Sequence, residues 1–197
     1  MKLTKEIFDT LEGKALNHFS KMEIKTYAEI GTRDGNNFKT RTPHISNYAL
    51  AIDCWDLYET AAQNDMGRER EQANQQYENL KNYYNSTLFI DNGVEILKGF
   101  SDNPEIYNKY KDNYFDCIFI DGDHSYEGVK KDLKNWWGKC NTLFCGHDYM
   151  FEKTVWNGVT CGVKKAVDEF IEEHKSEIKH FRVFTNSNNP TWFIWKN

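Results

Sequence analysis

The sequence predicts an α/β fold in which a mostly parallel sheet carries helices on both faces and finishes in an antiparallel hairpin. Three observations lead there. Short apolar runs alternate with longer amphipathic stretches, the rhythm of parallel strands joined by crossover helices. The runs are almost continuously apolar, which marks strands covered on both faces rather than strands with one wet side. Two aromatic runs close the chain around a turn rich in Asn, Ser and Pro. With 197 residues, the chain has the length of one domain, taken here as 1–197.

The elements follow in order. Ile7, Leu11, Ala15 and Phe19 recur at helical spacing and predict an opening helix. Thr26 to Ile30, Tyr48 to Asp53, Val94 to Leu97, Phe115 to Asp121 and Thr142 to Cys145 read as five buried strands. Between the second and third, Gln63 to Tyr84 is rich in Asn, Gln and Glu and reads as a solvated helix, or as a cover over a substrate site. Tyr126 to Trp137 places Val129, Leu133, Trp136 and Trp137 at helical spacing, with Ser125 set to cap the start. Val159, Val163, Val167, Phe170 and Ile171 predict a helix from Gly158 to His174. Phe181 to Phe184 and Trp192 to Trp195, joined by Asn186 to Pro190, form the hairpin, and so give the sheet an antiparallel edge.

Composition narrows the function. Hydrophobic residues make up 39% of the chain and aromatics 15%, enough for a core and against global disorder. Lys+Arg 25 against Asp+Glu 30 leaves a net charge of -5, so no basic surface draws the chain onto nucleic acid. No apolar stretch approaches the roughly 20 residues of a membrane-spanning helix. The first residues lack the apolar centre of a secretory signal, so the expected location is the cytoplasm. Five cysteines, odd in number and without a CxxC pair, read as reduced core thiols.

Chemistry gathers at strand ends. The first strand runs into Glu29-Ile-Gly-Thr-Arg-Asp-Gly35, where glycines allow a tight turn and close approach of backbone N–H groups to a ligand. Neither GxGxxG nor GxxxxGK[ST] occurs, which counts against NAD and P-loop readings. Asp53 ends the second strand, near the spacing of about 20 residues at which an acid meets ribose hydroxyls. The fourth strand delivers Asp121, Asp123 and His124 into the turn before a helix, and the fifth delivers His147 and Asp148. If these strands are neighbours, Asp121, His147 and Asp148 converge on one cation with positions left open for a substrate. Tyr149 to Asn157, carrying Phe151, Val155 and Trp156, is a candidate lid over that site.

On Ala28 to Gly35, the IDGDHSYEGVKKDL block from Ile120 to Leu133, and Gly146-His-Asp-Tyr149 followed by Gly162 to Asp168, the chain resembles the class I S-adenosylmethionine-dependent methyltransferases. It is similar in particular to the small single-domain group and to the metal-dependent sugar and macrolide O-methyltransferases. The resemblance covers Tyr27 to the C-terminus and implies a Rossmann-like, seven-stranded, mostly parallel sheet. It also implies that Glu29, Gly31, Thr32, Arg33 and Gly35 shape the pocket for the methionine part of the cofactor, with Asp121 beside it. Asp53 would hold the ribose, and Gly99, Ser101 and Asp102 would lie at the adenine. Asp123 would be the general base, with His124 a second catalytic candidate, and Asp121, His147 and Asp148 would hold a divalent cation. His147 stands where those relatives carry an acid, which tilts preference from magnesium toward manganese, iron or zinc.

The function expected on this resemblance is transfer of a methyl group to a hydroxyl of a small molecule, a sugar being one candidate. Two alternatives stay open: a metal-dependent enzyme like the cephalosporin hydroxylases, and a non-catalytic nucleoside-binding module. Oligomeric state is also open, a homo-oligomer included.

Overall fold

A computed structural model of the chain describes residues 3–12, 19–61, 63–64, 66–86, 93–150, 154–185 and 189–197. Thr26–Ile30 (β1), Tyr48–Asp53 (β2), Val94–Lys98 (β3), Phe115–Ile120 (β4) and Cys140–Gly146 (β5) are the expected buried strands. Val155–Trp156 (β6) and Val159–Thr160 (β7) make a small separate ribbon, and Ile178–Phe184 (β8) and Thr191–Lys196 (β9) make the closing hairpin. The main sheet has seven strands in the order β3-β2-β1-β4-β5-β9-β8. Only β9 runs against its neighbours, pairing antiparallel with both β5 and β8. The predicted architecture is therefore the observed one.

Period-two alternation divides the strands between two cores. Ala28, Ile30, Leu50, Ile52, Ile118 and Ile120 face Pro104–Tyr107 (α4), Tyr126–Trp137 (α5) and Val163–Glu173 (α6). Tyr27, Ala49, Ala51, Cys117 and Phe119 face Lys5–Asp9 (α1), Asn36–Arg41 (α2) and Arg70–Asn85 (α3). Each fully buried Phe, Leu or Ile adds about 1.5–3 kcal/mol of hydrophobic stabilisation. Ser125 caps α5 as expected, its hydroxyl accepting from Gly128 N at 3.1 Å. All five cysteines are free thiols. No helix among the described residues is long and apolar enough to cross a membrane.

Three elements differ from expectation. The opening helix stops at Asp9, because Thr10 turns both its N–H and its hydroxyl back onto Ile7 O. Phe19 sits in a separate 3-10 turn, Phe19–Lys21, and Ala15 lies outside the described residues. The polar helix starts at Arg70 rather than Gln63, since the preceding loop is closed on itself: Arg68 N donates to Asn64 Oδ1 and Asn64 Nδ2 donates to Arg68 O, both at 2.9 Å. The last helix begins at Val163, and Val159 belongs to the ribbon. Asn157 and Gly158 have φ of 44° and 79°, the left-handed pair that a two-residue hairpin turn requires. Phe151 and residues 186–188 of the predicted closing turn also lie outside the described residues.

Candidate active site

Strand order reverses between β1 and β4, so the crossovers leave in opposite directions and a cleft opens at the strands' carboxyl ends. The turns beyond these ends are tied to their neighbours: Gly31 N donates to Ile52 O at 2.8 Å, Asp121 N to Ile30 O at 2.8 Å, and His147 N to Ile120 O at 3.0 Å. A cavity of about 320 Å³ fills the cleft, walled by residues from the ends of β1, β2, β4 and β5, the 99–101 turn after β3, and the loop between β2 and α3. Gly31 lines it with φ +81°, and an added Cβ would lie 2.0 Å from Asp121 O. Glycine is required there on two counts, backbone conformation and space.

Of the residues expected at the cofactor, Gly31, Thr32, Arg33, Asp53, Gly99, Ser101 and Asp121 line the cavity. Asp53 does so while already holding the turn together. Its Oδ2 accepts from Arg33 N at 2.8 Å, and its Oδ1 accepts from Trp55 N at 2.6 Å, with Arg68 Nη2 at 3.4 Å. A carboxylate has about four acceptor positions, so roughly one is left for a ligand hydroxyl.

Glu29, Gly35 and Asp102 are not among the cavity-lining residues. Odd positions of β1 face the α2–α3 side, and there the Glu29 carboxylate is bound by Arg41 Nη1 at 2.7 Å and by Tyr27 OH at 2.6 Å. Gly35 has φ +74° and gives room to α3, since an added Cβ would lie 2.3 Å from Leu80 Cδ1. Asp102 is exposed and pairs with Lys131 at 3.0 Å.

The opposite end of the cavity is acidic. His124 Nε2 lies 2.9 Å from Asp148 Oδ2 and 3.5 Å from Asp121 Oδ1. One ligand atom from each of Asp121, His124 and Asp148 falls within 4.8 Å of the others, a spacing that can hold a metal ion. His147, expected in that trio, does not line the cavity, yet its Nδ1 lies 3.6 Å from Asp121 Oδ1, about as near as His124 Nε2. Its Nδ1 sits 2.9 Å from Asp148 Oδ1, where Asn189 Nδ2 also donates at 2.6 Å. The φ of +55° at Asp148 is uncommon for a residue with a side chain, and such strain gathers at working sites. Burial alone would raise the Asp148 pKa, but hydrogen bonds and charge from His124 and His147 outweigh it and hold the carboxyl below the usual range. Asp123 lines the cavity next to this group, its Oδ1 accepting from Ser125 N at 2.8 Å.

Four further residues belong to the site or its support. Trp156 of β6 lines the cavity and meets the His124 ring edge-on at 5.1 Å between centroids. Arg68 and Asn189 also reach the wall, from loops whose sequences carry no chemical pattern. Asp132 lies beneath it, fully buried in α5. A signal for Asp132 did exist: it falls on the apolar stripe of Val129, Leu133 and Trp136, where an acid is out of place.

The family model for a methyltransferase domain matches residues 28–149, more than half of the chain. The chain belongs to this methyltransferase family. It is an S-adenosylmethionine-dependent methyltransferase, and the cavity at the strand ends suits that cofactor, since Asp53 can accept from a ribose hydroxyl and Asp121 and Asp123 are compatible with a cationic sulfur. No curated protein matches by sequence. Among solved structures, a candidate caffeoyl-CoA O-methyltransferase from Staphylococcus aureus is 16% identical with a TM-score of 0.58, covering 99% of this chain and 85% of that one. An SAH-bound methyltransferase of Podospora anserina is 15% identical with a TM-score of 0.56, over 93% and 76% of the two chains. Spermidine synthase from Thermotoga maritima is also similar, at 13% identity and a TM-score of 0.52, over 98% and 60%. Likeness at these identities concerns the fold of the methyltransferase, and its acceptor has to be sought in the site itself.

Proposed function

We propose that this methyltransferase transfers a methyl group to a hydroxyl oxygen of a small polyhydroxylated molecule, a sugar being the leading class, with a divalent cation held at Asp121, His124 and Asp148. The observation that carries the reading is the placement of those three ligand atoms within 4.8 Å of one another in the cavity that Asp123 also lines. S-adenosylmethionine, when bound, supplies a methyl group activated on a positively charged sulfur. Thr32, Arg33 and Asp53 would hold it beside the Gly31 turn, with Gly99 and Ser101 toward its base. A cation held by Asp121, His124 and Asp148 would act as a Lewis acid and lower the pKa of a hydroxyl placed against it.

Chain residues then do the rest. Asp123 takes the acceptor proton on its carboxylate, kept in place by the Ser125 N–H. His147 and Asn189 brace Asp148 from outside the ligand trio, which fixes where the acceptor oxygen can sit. Trp156 packs edge-on against the His124 ring and walls the acidic end of the cavity. An imidazole in the ligand set favours manganese, iron or zinc over magnesium.

The test is turnover of S-adenosylmethionine with a panel of sugars and other polyols, in metal-free protein and after adding manganese or magnesium. Methylation that needs the cation and is lost in Asp148→Asn supports the reading. Equal methylation with and without cation would remove the metal from it, and methylation confined to acceptors without hydroxyls would overturn it.

A further inference from the structure

Asp132 is a carboxyl group with no obvious reason to be where it is. It is 2% exposed, on the buried face of α5 between Val129 and Trp136. Its one hydrogen-bond donor among the described residues is the Ser101 hydroxyl, 2.5 Å from Oδ1. Trp136, one turn further along α5, donates its Nε1 to Ser101 O at 3.1 Å, so the helix grips Ser101 by both side chain and backbone. Oδ2 reaches the other turn of the cavity floor: a Cβ added to Gly122 would stand 3.4 Å from it. Both Ser101 and Gly122 line the cavity, whereas Asp132 does not.

A buried carboxylate with one donor and no cation in contact is costly, and an apolar residue at this position would pack the helix at least as well. We infer that Asp132 is a positioning residue for the cofactor, which fixes the direction of the Ser101 hydroxyl so that its lone pairs face an N–H or O–H donor of the bound nucleoside. This rests on the reading of the cavity as the S-adenosylmethionine site. The physical basis is that an ionised carboxylate can only accept. The Ser101 hydrogen must then point down at Asp132, and the oxygen presents its acceptor side to the cavity. Once Asp132 is protonated, it can itself donate to Ser101, and the hydroxyl is free to turn. The groups facing Asp132 are Asp123 and Asp102 from the two turns and Lys131 on its own helix. Burial, with added repulsion from Asp123 and Asp102, pushes its pKa up to about 7, so this change of roles falls at neutral pH.

The experiment is binding of S-adenosylmethionine to the full chain across neutral pH, for the wild type, D132N, S101A and the double variant, with urea midpoints measured alongside. Wild-type affinity should rise with pH as Asp132 ionises. D132N should lose that rise and bind about fivefold weaker at the alkaline end, the weight of a weakened hydrogen bond. The double variant should bind no worse than S101A, because Asp132 acts through Ser101. The D132N urea midpoint should not fall at alkaline pH, which separates positioning from mere support of the fold. Should D132N fail to fold, S101A alone must flatten the pH profile. Wild-type affinity and pH dependence in D132N, a retained profile in S101A, or losses that add in the double variant would overturn the inference. Failure of the wild type to bind S-adenosylmethionine at all would instead overturn the reading of the cavity, and the inference with it.

Discussion

Arg41 Nη1 lies 2.7 Å from Glu29 Oε2 with both side chains out of water, at 0% and 2% exposure. The guanidinium also lies over the Phe119 ring at 4.0 Å and hydrogen-bonds Tyr27. This pair joins α2 to β1 directly below the Gly31 turn, so the acid that leads the glycine motif acts from beneath the site. Arg41→Met leaves Glu29 buried without its cation and is expected to cost about 3–5 kcal/mol in urea unfolding. A loss under about 1 kcal/mol would mean that water or another group compensates Glu29.

Asp132 has a pH signature in stability as well as in binding. Its pKa is raised from about 4 in the unfolded chain to about 7 in the fold. The native state therefore holds more protons in that window, and the contribution of Asp132 to stability falls as pH rises through it. Asp132→Asn removes the charge, so the gap in its favour should widen from acid to neutral pH, by on the order of a few kcal/mol. Urea midpoints of both proteins at several pH values check this, and a constant gap would contradict it.

Gly31→Ala is expected to damage both fold and site. The added Cβ meets backbone of the Asp121 turn, which cannot swing aside as a side chain could. Strain from the positive φ adds about 1–2 kcal/mol and overpacking about 1–3 kcal/mol. Chemical denaturation measures the loss, and a variant as stable as the wild type would show that the two turns are less tightly joined.

The β6–β7 ribbon places Trp156 in the cavity wall. Asn157 Nδ2 donates to Asn64 O at 3.0 Å, joining the ribbon tip to the loop between β2 and α3. Asn157→Ala should free the tip, speed release of S-adenosylmethionine severalfold, about the effect of one hydrogen bond, and deprotect amides near Trp156 in hydrogen exchange. Unchanged release and exchange would count against a role for the ribbon as a lid.

Strands were the most legible part of the sequence, because burial on both faces leaves an apolar run whatever lies around it. The five parallel strands and the hairpin all fall where Thr26, Tyr48, Val94, Phe115, Thr142, Phe181 and Trp192 suggested, within a few residues. Helix limits were less legible, since Thr10 and the Asn64–Arg68 exchange end or delay helices through side-chain hydrogen bonds that apolar spacing does not register. The ribbon was missed although Asn157-Gly158 is a strong hairpin signal, because Val159 also fits the spacing of α6. At the site, strand ends brought Asp53, Asp121, Asp123 and Asp148 to one cavity as their positions suggested. Which imidazole stands with Asp121 and Asp148 depends on side-chain direction, which spacing along a strand cannot reveal: His124 Nε2 and His147 Nδ1 both face the two carboxylates, at 3.5 Å and 3.6 Å from Asp121 Oδ1.

Calorimetric titration of S-adenosylmethionine into the wild type and Asp53→Asn tests the central claim, that the cofactor occupies the cavity at the strand ends, most directly. The expected result is saturable binding at one site, weakened about tenfold or more when one carboxylate oxygen of Asp53 becomes an amide nitrogen, with the urea midpoint lowered by the turn hydrogen bond that this nitrogen can no longer accept. A folded wild type that gives no binding, or an Asp53→Asn variant that binds as tightly as the wild type, would contradict it.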